Sequence, residues 1–542
     1  MPRSCTSAQS GMSPGVSGNP HADGGCRTAV QALGSHAPRP WRYPFDVSQA
    51  TIRTMATCVK TIHGAFVLGV LALLGTPASL AGEQPEVPTA VSNPLAADAT
   101  WRGRVTVSVQ LSIPAGVTLT ILPGTEIGFE PGAGLLVPGI LRAEGTAELP
   151  IVFKAVTAEA APGSWAGITF LNQGGHSSLR HCRLLGAQAI SITAGGHAME
   201  DCVIADGLRG LVVSGKEARP VVARNRFSDL QEGGIACLSG SAPRILGNTI
   251  ERCGPSGISV SQGAAAEIRD NTVADCASGV ELAHSEPLIR DNTVRRCARG
   301  IALTYAGASH PVLGNRLEEN EIGISIKQFS APEIRENLIL GGKTGISCSM
   351  GAHPLITENT VSGAGTGIAC DQMAQPLIEG NLVEKNGVGI FLNLSSYATI
   401  RRNNVVGNRV QMELGNMSLD WEQRVRKKPP RGRQKQHLER VKQGQDVPGQ
   451  ETADGFDMSK GLVDARDNWW GEQTTRELTE NGTNANIIGF VDGYDVPVRA
   501  YPGFEGEYLQ DKITYAPWSL KPFALTAPPP RPAEKLPQTD QP

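Results

Sequence analysis

Three acidic residues have the type and spacing that could support catalysis or calcium binding. Asp270 and Asp291 lie 21 residues apart, and each directly precedes an asparagine that recurs along the chain. If the recurring segments stack as neighbouring strands, the two carboxylates approach to about 5 Å, which suits a Ca²⁺ ion or an acid–base pair. Asp371 is a third candidate. Because Arg269 and Arg290 precede the first two, the alternative is a surface lattice of Arg–Asp pairs.

A second group of residues is typical of a ligand-binding surface. These residues lie in the one turn of the repeat whose length and composition vary, and loops on a rigid scaffold commonly carry binding residues. Stacked repeats would align them into one groove or ridge, where aromatic faces and polar groups at a regular rise suit a sugar chain. The predicted ligand-binding residues are His284, Tyr305, His310, Lys327, Phe329, His353 and Tyr397.

The same turn also contains imidazole and thioether groups, which are ligands of copper. Met350 and Met373 accompany the histidines there. His310 and His353 are two repeats apart, however, so about 9 to 10 Å separates them, and they would not share an ion without loop movement. The sequence therefore predicts no metal site, and a solvated turn is the alternative to a glycan or partner surface.

These candidates are positioned by a repeat of about 22 residues. Asparagine recurs every 21 to 23 residues, three positions after an apolar residue, and Gly-Ile-x-apolar follows about nine residues later. Periods of 20 to 50 residues indicate a stacked architecture. The recurring asparagines are Asn225, Asn248, Asn271, Asn292, Asn315, Asn337, Asn359, Asn381 and Asn403, and Asn468 rejoins the series after an insertion.

Each repeat predicts three short strands, because apolar residues alternate with polar ones and Gly or Asn marks the turns. The predicted fold is all-β, a right-handed parallel β-helix of about 13 to 15 three-strand coils with an asparagine ladder. Inward asparagines would hydrogen-bond to one another and to turn backbone, which satisfies buried polar groups. We therefore interpret the asparagines as structural.

Cysteines occupy positions of the same repeat. Cys182 and Cys202 take the asparagine position, whereas Cys253, Cys276 and Cys297 each lie five residues after a ladder asparagine. Their spacing does not match paired CxxC zinc motifs. Free cysteine behaves as a small buried hydrophobe, so the sequence predicts stacks of inward thiols. Disulfides between stacked cysteines are the alternative, because neighbouring coils could meet the required distance.

Composition and an internal signal indicate an exported protein. The chain has 542 residues with a net charge of −3, which gives no reason to expect nucleic acid as a partner. Residues 55–81 resemble a Sec-type signal peptide, with a basic start, a ten-residue apolar core and small residues before Gly82. That core is too short to span a bilayer. The predicted location is periplasmic or extracellular, without a transmembrane span in the mature chain; a short signal anchor is the alternative.

Composition also divides the rest of the chain. Residues 424–442 carry nine Lys/Arg against one Glu, which predicts a solvated loop or a contact for a polyanion or a protein. Trp469 and Trp470 are predicted to plug the C-terminal end of the core. The predicted segments are a disordered extension or unused start (1–54), the signal (55–81), a linker (82–100), the β-helix (101–412), a basic disordered insertion (413–462), the final coil and cap (463–521) and a Pro-rich tail (522–542).

Several strings resemble bacterial secreted right-handed parallel β-helix proteins of the pectate-lyase-like superfamily. They are GVTLTILPGTEIGF, GILRAEGTAELPIVF, SWAGITF, PLIRDNTV and DARDNWWG, and the resemblance covers most of residues 101–520. That group includes carbohydrate-binding and sugar-hydrolase β-helix domains and NosD-type periplasmic proteins that help mature the copper sites of nitrous oxide reductase. The acid-containing motifs of polygalacturonase-like and alginate-epimerase-like enzymes are absent from this sequence.

Together these patterns predict an exported β-helix protein with a non-catalytic binding or structural role at the cell envelope, with polysaccharide as the expected ligand. One alternative is a carbohydrate-active lyase or hydrolase with a diverged site, so enzymatic activity stays open. The other is a NosD-type metal-site maturation factor. No cofactor is predicted, apart from the Ca²⁺ alternative at Asp270 and Asp291.

Overall fold

The computed structural model describes residues 90–91, 94–157, 159–171, 175–308, 311–425, 461–482, 486–501 and 503–524. The chain divides into residues 1–82 and 83–542, and every described residue belongs to the second unit. The predictions for residues 1–54 and for the signal peptide (55–81) therefore lie outside the described residues. The same holds for His310, most of the basic segment 424–442 and most of the Pro-rich tail.

The described residues form a parallel β-helix, which confirms the predicted all-β fold. Each coil contributes one strand to each of three sheets, which we name A, B and C. Sheets A and C have 15 strands each and sheet B has 14. Within a coil the chain runs through sheet B, then A, then C, and each strand pairs in parallel with its equivalent in the next coil.

The strands of sheet A carry the asparagine ladder at their leading end. They are Ala90–Val91, Arg104–Val107, Glu126–Phe129, Ile151–Ala155, Cys182–Leu185, Val203–Ala205, Arg226–Leu230, Thr249–Cys253, Thr272–Ala274, Thr293–Arg295, Arg316–Glu318, Leu338–Leu340, Thr360–Ser362, Leu382–Glu384 and Asn404–Val406.

Most strands of sheet B contain three residues. They are Ala99–Trp101, Thr118–Ile121, Ile140–Glu144, Ser178–Arg180, Ala198–Glu200, Val221–Ala223, Arg244–Leu246, Glu267–Arg269, Leu288–Arg290, Val312–Leu313, Glu333–Arg335, Leu355–Thr357, Leu377–Glu379 and Thr399–Arg401.

The strands of sheet C contain the Gly-Ile-x-apolar motif. They are Gln110–Ser112, Gly134–Val137, Trp165–Phe170, Ala187–Ile192, Arg209–Ser214, Gly233–Leu238, Ser256–Ser261, Ser278–Ala283, Arg299–Thr304, Ile322–Lys327, Thr344–Cys348, Thr366–Cys370, Val388–Leu392, Val410–Leu414 and Phe490–Val491.

A small cap follows the coils. Helix α1 (Leu419–Val425) lies in the segment predicted to be disordered, and helix α2 (Gly471–Asn481) follows the last ladder asparagine. Two strand pairs complete the cap: Leu462–Asp464 pairs in parallel with Lys512–Thr514, and Val498–Ala500 pairs antiparallel with Glu507–Leu509. Neither described helix is long and apolar enough to cross a membrane.

The core is a column of aliphatic side chains that stack in register. Ile289, for example, pairs with Ile268 below and Val312 above, and all three are at most 2% exposed. Trp470 is fully buried with its ring edge-on to Phe490 at 4.8 Å. It closes the C-terminal end of the column as predicted, because a final coil must cover apolar side chains.

The asparagine ladder is formed as the repeat predicted. Asn271 donates from Nδ2 to Asn292 Oδ1 at 3.0 Å, and its own Oδ1 accepts from the Asn248 backbone at 2.8 Å. The ladder passes from Asn403 to Asn468 across the insertion at 2.9 Å. Each buried amide therefore finds its partners in the neighbouring coil, and the asparagines are structural.

A second, mixed ladder escaped the sequence analysis. The Cys297 backbone donates to Asn320 Oδ1 at 3.0 Å, and Asn386 Nδ2 donates to Asn408 Oδ1 at 3.0 Å. The thiol stack and these asparagines thus occupy one row along the axis. All eight described cysteines are buried free thiols, as predicted, and burial raises the pKa of Cys237 and Cys253 to about 12.

Candidate ligand-binding ridge

The corner between sheet C and sheet B carries large side chains on a backbone that favours glycine. The φ angles there are +52° at His284, +53° at Tyr305, +57° at Phe329, +56° at Met350 and +63° at Met373. A bulky residue with positive φ is uncommon because Cβ crowds the following carbonyl. We call these five residues the ridge.

In the coils between residues 175 and 425, the ridge concentrates the exposed apolar surface. Tyr305 is 44% exposed, Phe329 48%, Met350 42% and Met373 40%. Among the described residues between 175 and 425, Leu355 is the only other large hydrophobic residue with comparable exposure. Contiguous exposed apolar groups on a folded protein commonly mark an interaction site.

Backbone hydrogen bonds hold the ridge at the spacing of the coils. The Phe329 backbone donates to the Met350 carbonyl at 3.1 Å, and Met373 donates to Leu394 at 2.9 Å. Ridge residues on successive coils are therefore about 4.8 Å apart along the axis. These bonds fix the turns, so the side chains are presented by a rigid support.

Two ring contacts show how the side chains are arranged. The His284 and Tyr305 rings stack with their centroids 4.4 Å apart and their planes 15° apart. The Phe329 ring lies against Gly351, where an added Cβ would come within 2.7 Å of it. The aromatic part of the ridge is therefore ordered before any ligand arrives.

The predicted ligand-binding residues that the structure describes fall into three groups: residues on or beside the ridge, His353, and Tyr397. His284, Tyr305 and Phe329 share the ridge, and Lys327 ends the sheet C strand two residues before Phe329. His353 is half-buried, with Nδ1 3.2 Å from the Gly351 carbonyl oxygen. Ligand binding by these residues stays a prediction.

Tyr397 lies on the same corner but is tied to the cap. Its hydroxyl donates to Asp511 Oδ2 at 2.9 Å, and burial raises the pKa of Tyr397. Asp511 Oδ1 also accepts from the Leu419 backbone at 2.8 Å, at the start of α1. Tyr397 therefore links the last coils to the cap, and its hydroxyl is engaged there.

Met350 and Met373 were missing from the ligand-binding set. The sequence analysis considered both, but only as candidate copper ligands. Counting back from the inward isoleucine of the following sheet B strand places Met373 with Phe329, at five residues, and Met350 one position earlier, at six. That alignment was available from the repeat alone.

The acidic candidates are engaged in local interactions. Asp270 and Asp291 pair with the arginine that precedes each, at 3.1 and 2.9 Å. Asp371 Oδ1 accepts from the Gln372 backbone at 2.9 Å and from Asn393 Nδ2 at 3.0 Å. Within the described part of the chain, no group of three or more His, Cys, Asp or Glu residues is placed to hold a metal ion.

A shallow cleft of about 520 Å³ lies elsewhere, on the corner between sheets A and C. Its charged lining residues are Arg296, Glu319, Glu321 and Lys343, of which the last two form an ion pair. The cleft contains neither a ridge residue nor a candidate acid.

Comparison with known families agrees with the strand pairing. The family described as "Right handed beta helix region" matches residues 166–322, and the family described as "Periplasmic copper-binding protein (NosD)" matches residues 286–429. No curated protein matches the chain. With the parallel sheets, these matches establish the class: the chain is a right-handed parallel β-helix repeat protein.

Solved structures of one enzyme resemble the chain at low identity. A double mutant of the periplasmic alginate epimerase AlgG is 16% identical, with 59% of this chain and 77% of that chain covered and a TM-score of 0.35. The structure titled without a mutation is 14% identical over 69% of this chain and 73% of that chain, with a TM-score of 0.26.

Proposed function

We propose that this protein binds an extended polysaccharide at the cell envelope without cleaving it, and that the ridge is the contact surface. The observation that carries the proposal is the row of exposed aromatic and thioether side chains on consecutive coils. A row with a fixed rise suits a polymer lying along the axis, because each coil can meet a successive unit of the ligand.

The chemistry of the ridge fits a sugar chain. Aromatic rings offer large apolar faces with little conformational freedom to lose, and the Tyr305 hydroxyl adds a polar group at the same surface. Lys327 ends one strand of sheet C, Asp371 directly follows another strand two coils away, and both side chains can hydrogen-bond to hydroxyls. Binding by such a preordered surface avoids part of the entropy lost on association.

A non-catalytic role is supported by the acidic candidates. General acid–base catalysis needs a carboxyl group within reach of the scissile bond. Asp270 and Asp291 are held by Arg269 and Arg290, on the corner between sheets B and A rather than on the ridge. Asp371 does lie beside the ridge, where its Oδ1 already accepts two hydrogen bonds.

A periplasmic or extracellular location is part of the proposal. It is supported by the predicted signal peptide at residues 55–81 and by the match to the NosD family, which is described as periplasmic. Expressing the gene with a C-terminal tag and fractionating the cells tests it, since retention of an uncleaved chain in the cytoplasm would refute export.

The binding test uses the full chain on a glycan array with and without Ca²⁺. We expect at least one polysaccharide to bind and the Tyr305→Ala/Phe329→Ala double variant to bind it at least tenfold more weakly. Tyr494→Ala is the matched control, because Tyr494 is a 40% exposed tyrosine in the cap. Equal binding by the ridge variant would refute the site, and release of shortened or modified sugar would refute the non-catalytic role.

Copper binding is the second candidate, and one specific observation favours it. The match to the family described as a periplasmic copper-binding protein covers residues 286–429, which include Met350, His353 and Met373. Thioether and imidazole groups are suitable ligands for copper. Titration of the full chain with Cu(I) against a competing chelator tests this, with Met350→Leu/Met373→Leu as the variant expected to lose binding.

A further inference from the structure

We propose that Met350 and Met373 form an oxidant-sensitive pair, and that their conversion to sulfoxides switches off the apolar surface of the ridge. The modification itself follows from exposure and chemistry. That it regulates ligand binding rests on the proposed function.

The described methionines fall into two distinct classes. Met199, Met412 and Met417 are at most 1% exposed and belong to the core, whereas Met350 is 42% and Met373 40% exposed. The protein fold therefore shields three thioethers from a dissolved oxidant and presents two. The exposed pair lies on adjacent coils, on the surface where ligand contact is proposed.

The fold does not require methionine at either position. The position of Met373 is occupied by Gly240, Gly263 or Gly351 in other coils, with the backbone bonded to the next coil in the same way. The position of Met350, one residue earlier in the turn, is occupied by Gln262, Gln328 or Gln372. Glycine would relieve the positive φ of +56° at Met350 and +63° at Met373. A strained residue that packing does not demand is a reason to look for function.

The chemistry needs only a peroxide or a hypohalous acid. With hydrogen peroxide, the thioether sulfur attacks one oxygen, the O–O bond breaks, a sulfur–oxygen bond forms and water leaves. The sulfur is oxidised by two electrons and the peroxide is reduced by two. A methionine sulfoxide reductase supplied with thiol electrons would reverse the step.

Oxidation would change the ridge where it is most apolar. The sulfoxide is polar and chiral, whereas the thioether is a soft apolar group that adapts to its partner. Met350 and Met373 are two of the five large exposed apolar residues described between residues 175 and 425; the others are Tyr305, Phe329 and Leu355. Two sulfoxides would interrupt that surface without disturbing the core.

The first measurement is peptide mass mapping of the full chain during exposure to hydrogen peroxide. We expect Met350 and Met373 to gain one oxygen at least tenfold faster than Met199, Met412 and Met417, with the melting temperature unchanged at that stage. Oxidation of all five at similar rates, or unfolding that coincides with oxidation of the pair, would overturn the proposal.

The second measurement follows the ridge surface without relying on a sugar ligand. Oxidised wild type should be retained less on phenyl-substituted agarose, whereas Met350→Leu/Met373→Leu should be retained like untreated wild type before and after peroxide. Leucine keeps the apolar volume and has no oxidisable sulfur. Unchanged retention of oxidised wild type would overturn the switch.

The same samples then separate this proposal from the proposed function. If untreated protein binds a glycan, peroxide should lower the affinity of wild type at least fivefold. The affinity of the leucine variant should be the same before and after peroxide. Full affinity in the oxidised protein would overturn regulation. If no glycan binds at all, the proposed function fails, and the mass and retention measurements still decide the switch.

Discussion

The three corners of each coil require the same backbone turn but carry different chemistry. At the corner between sheets B and A, positive φ falls on polar or small residues such as Asp201, Arg224, Asp270 and Gly314. The corner between sheets A and C is similar. Among the described residues, only the corner between sheets C and B places tyrosine, phenylalanine and methionine side chains there. The turn geometry therefore does not explain the ridge.

The polar corners also satisfy themselves. Arg252 makes two hydrogen bonds to Asp229, at 2.7 and 2.8 Å. Two coils further along the axis, Arg296 pairs with Asp275 in the same way. On the ridge, the His284 and Tyr305 rings stack and the Phe329 ring lies against Gly351, while Tyr305, Phe329, Met350 and Met373 remain 40% to 48% exposed. The charged corners satisfy their polar groups internally, whereas the ridge exposes apolar groups that suit a binding partner.

The largest expected effect is a loss of stability on breaking the asparagine ladder in the interior. Asn315→Ala removes an acceptor of the Asn292 backbone (2.9 Å) and a donor to Asn337 (3.0 Å) in a row that is at most 1% exposed. Several buried polar groups would lose partners, so we expect a loss of roughly 3 to 5 kcal/mol in the free energy of unfolding. Urea denaturation followed by circular dichroism measures it.

Thr293→Ala, on the outward face of a neighbouring coil, is the control for Asn315→Ala and should change stability by less than about 1 kcal/mol. A loss at Asn315 no larger than at Thr293 would show that the ladder is dispensable.

The next largest effect is a difference in stability between variants of two tyrosines on the same corner. Tyr397→Phe removes the donor to the buried Asp511, so we expect about 1 to 2 kcal/mol of destabilisation, local to the cap and visible by hydrogen exchange in residues 507–515. Tyr305→Phe should leave the cap unchanged. If the two variants behave alike, Tyr397 does not hold the cap.

This effect should also depend on pH. Burial raises the pKa of Asp511 above its ordinary value, and the Tyr397 hydroxyl opposes that shift. Stability gained from protonated Asp511 is present at low pH and is lost as pH rises through the folded-state pKa. The deficit of Tyr397→Phe should therefore grow with rising pH, because ionised Asp511 then lacks its donor. A deficit that shrinks toward alkaline pH would contradict this assignment.

A smaller effect on stability, but a loss of glycan binding, is expected on the ridge. Phe329→Gly relieves a positive φ of +57° but adds freedom to the unfolded chain. We expect stability within about 1 kcal/mol of wild type, while glycan binding falls. Thermal unfolding and the glycan assay measure the two together, and a large loss of stability would make Phe329 a structural residue.

The smallest effect belongs to the charged corner. Arg252→Gln should cost about 0.5 kcal/mol at neutral pH, because the pair with Asp229 is roughly half exposed. Arg252 lowers the pKa of Asp229, so its stabilisation is present above the ordinary Asp value of about 3.9 and is lost as pH falls through the folded-state value. Wild type and variant should converge once pH falls below the folded-state pKa of Asp229; a difference that persists there would rule out the ion pair as its cause.

Much of the fold could be predicted because its signals are local and repeated. The spacing of Asn271, Asn292 and Asn315 indicates the coil length, and alternation within one strand indicates which side chains point inward. The Arg269–Asp270 and Arg290–Asp291 pairs were predictable for the same reason, since each joins sequence neighbours.

Other features depend on contacts between segments that are far apart in the sequence. Tyr397 was grouped with the ligand residues, but Asp511, 114 positions later, engages its hydroxyl. The Asn320 ladder was missed because its row changes from cysteine to asparagine along the axis. Helix α1, in a segment predicted to be disordered, is held through the same Asp511.

The sequence by itself determined a three-strand coil of about 22 residues, its inward asparagines and its variable corner, because period and alternation are properties of the chain that survive without its neighbours. Only the tertiary structure decided which side chains of that corner stay in solvent. Burial of Tyr397 and exposure of Met350 and Met373 depend on where the cap docks and on backbone angles set by contact between coils.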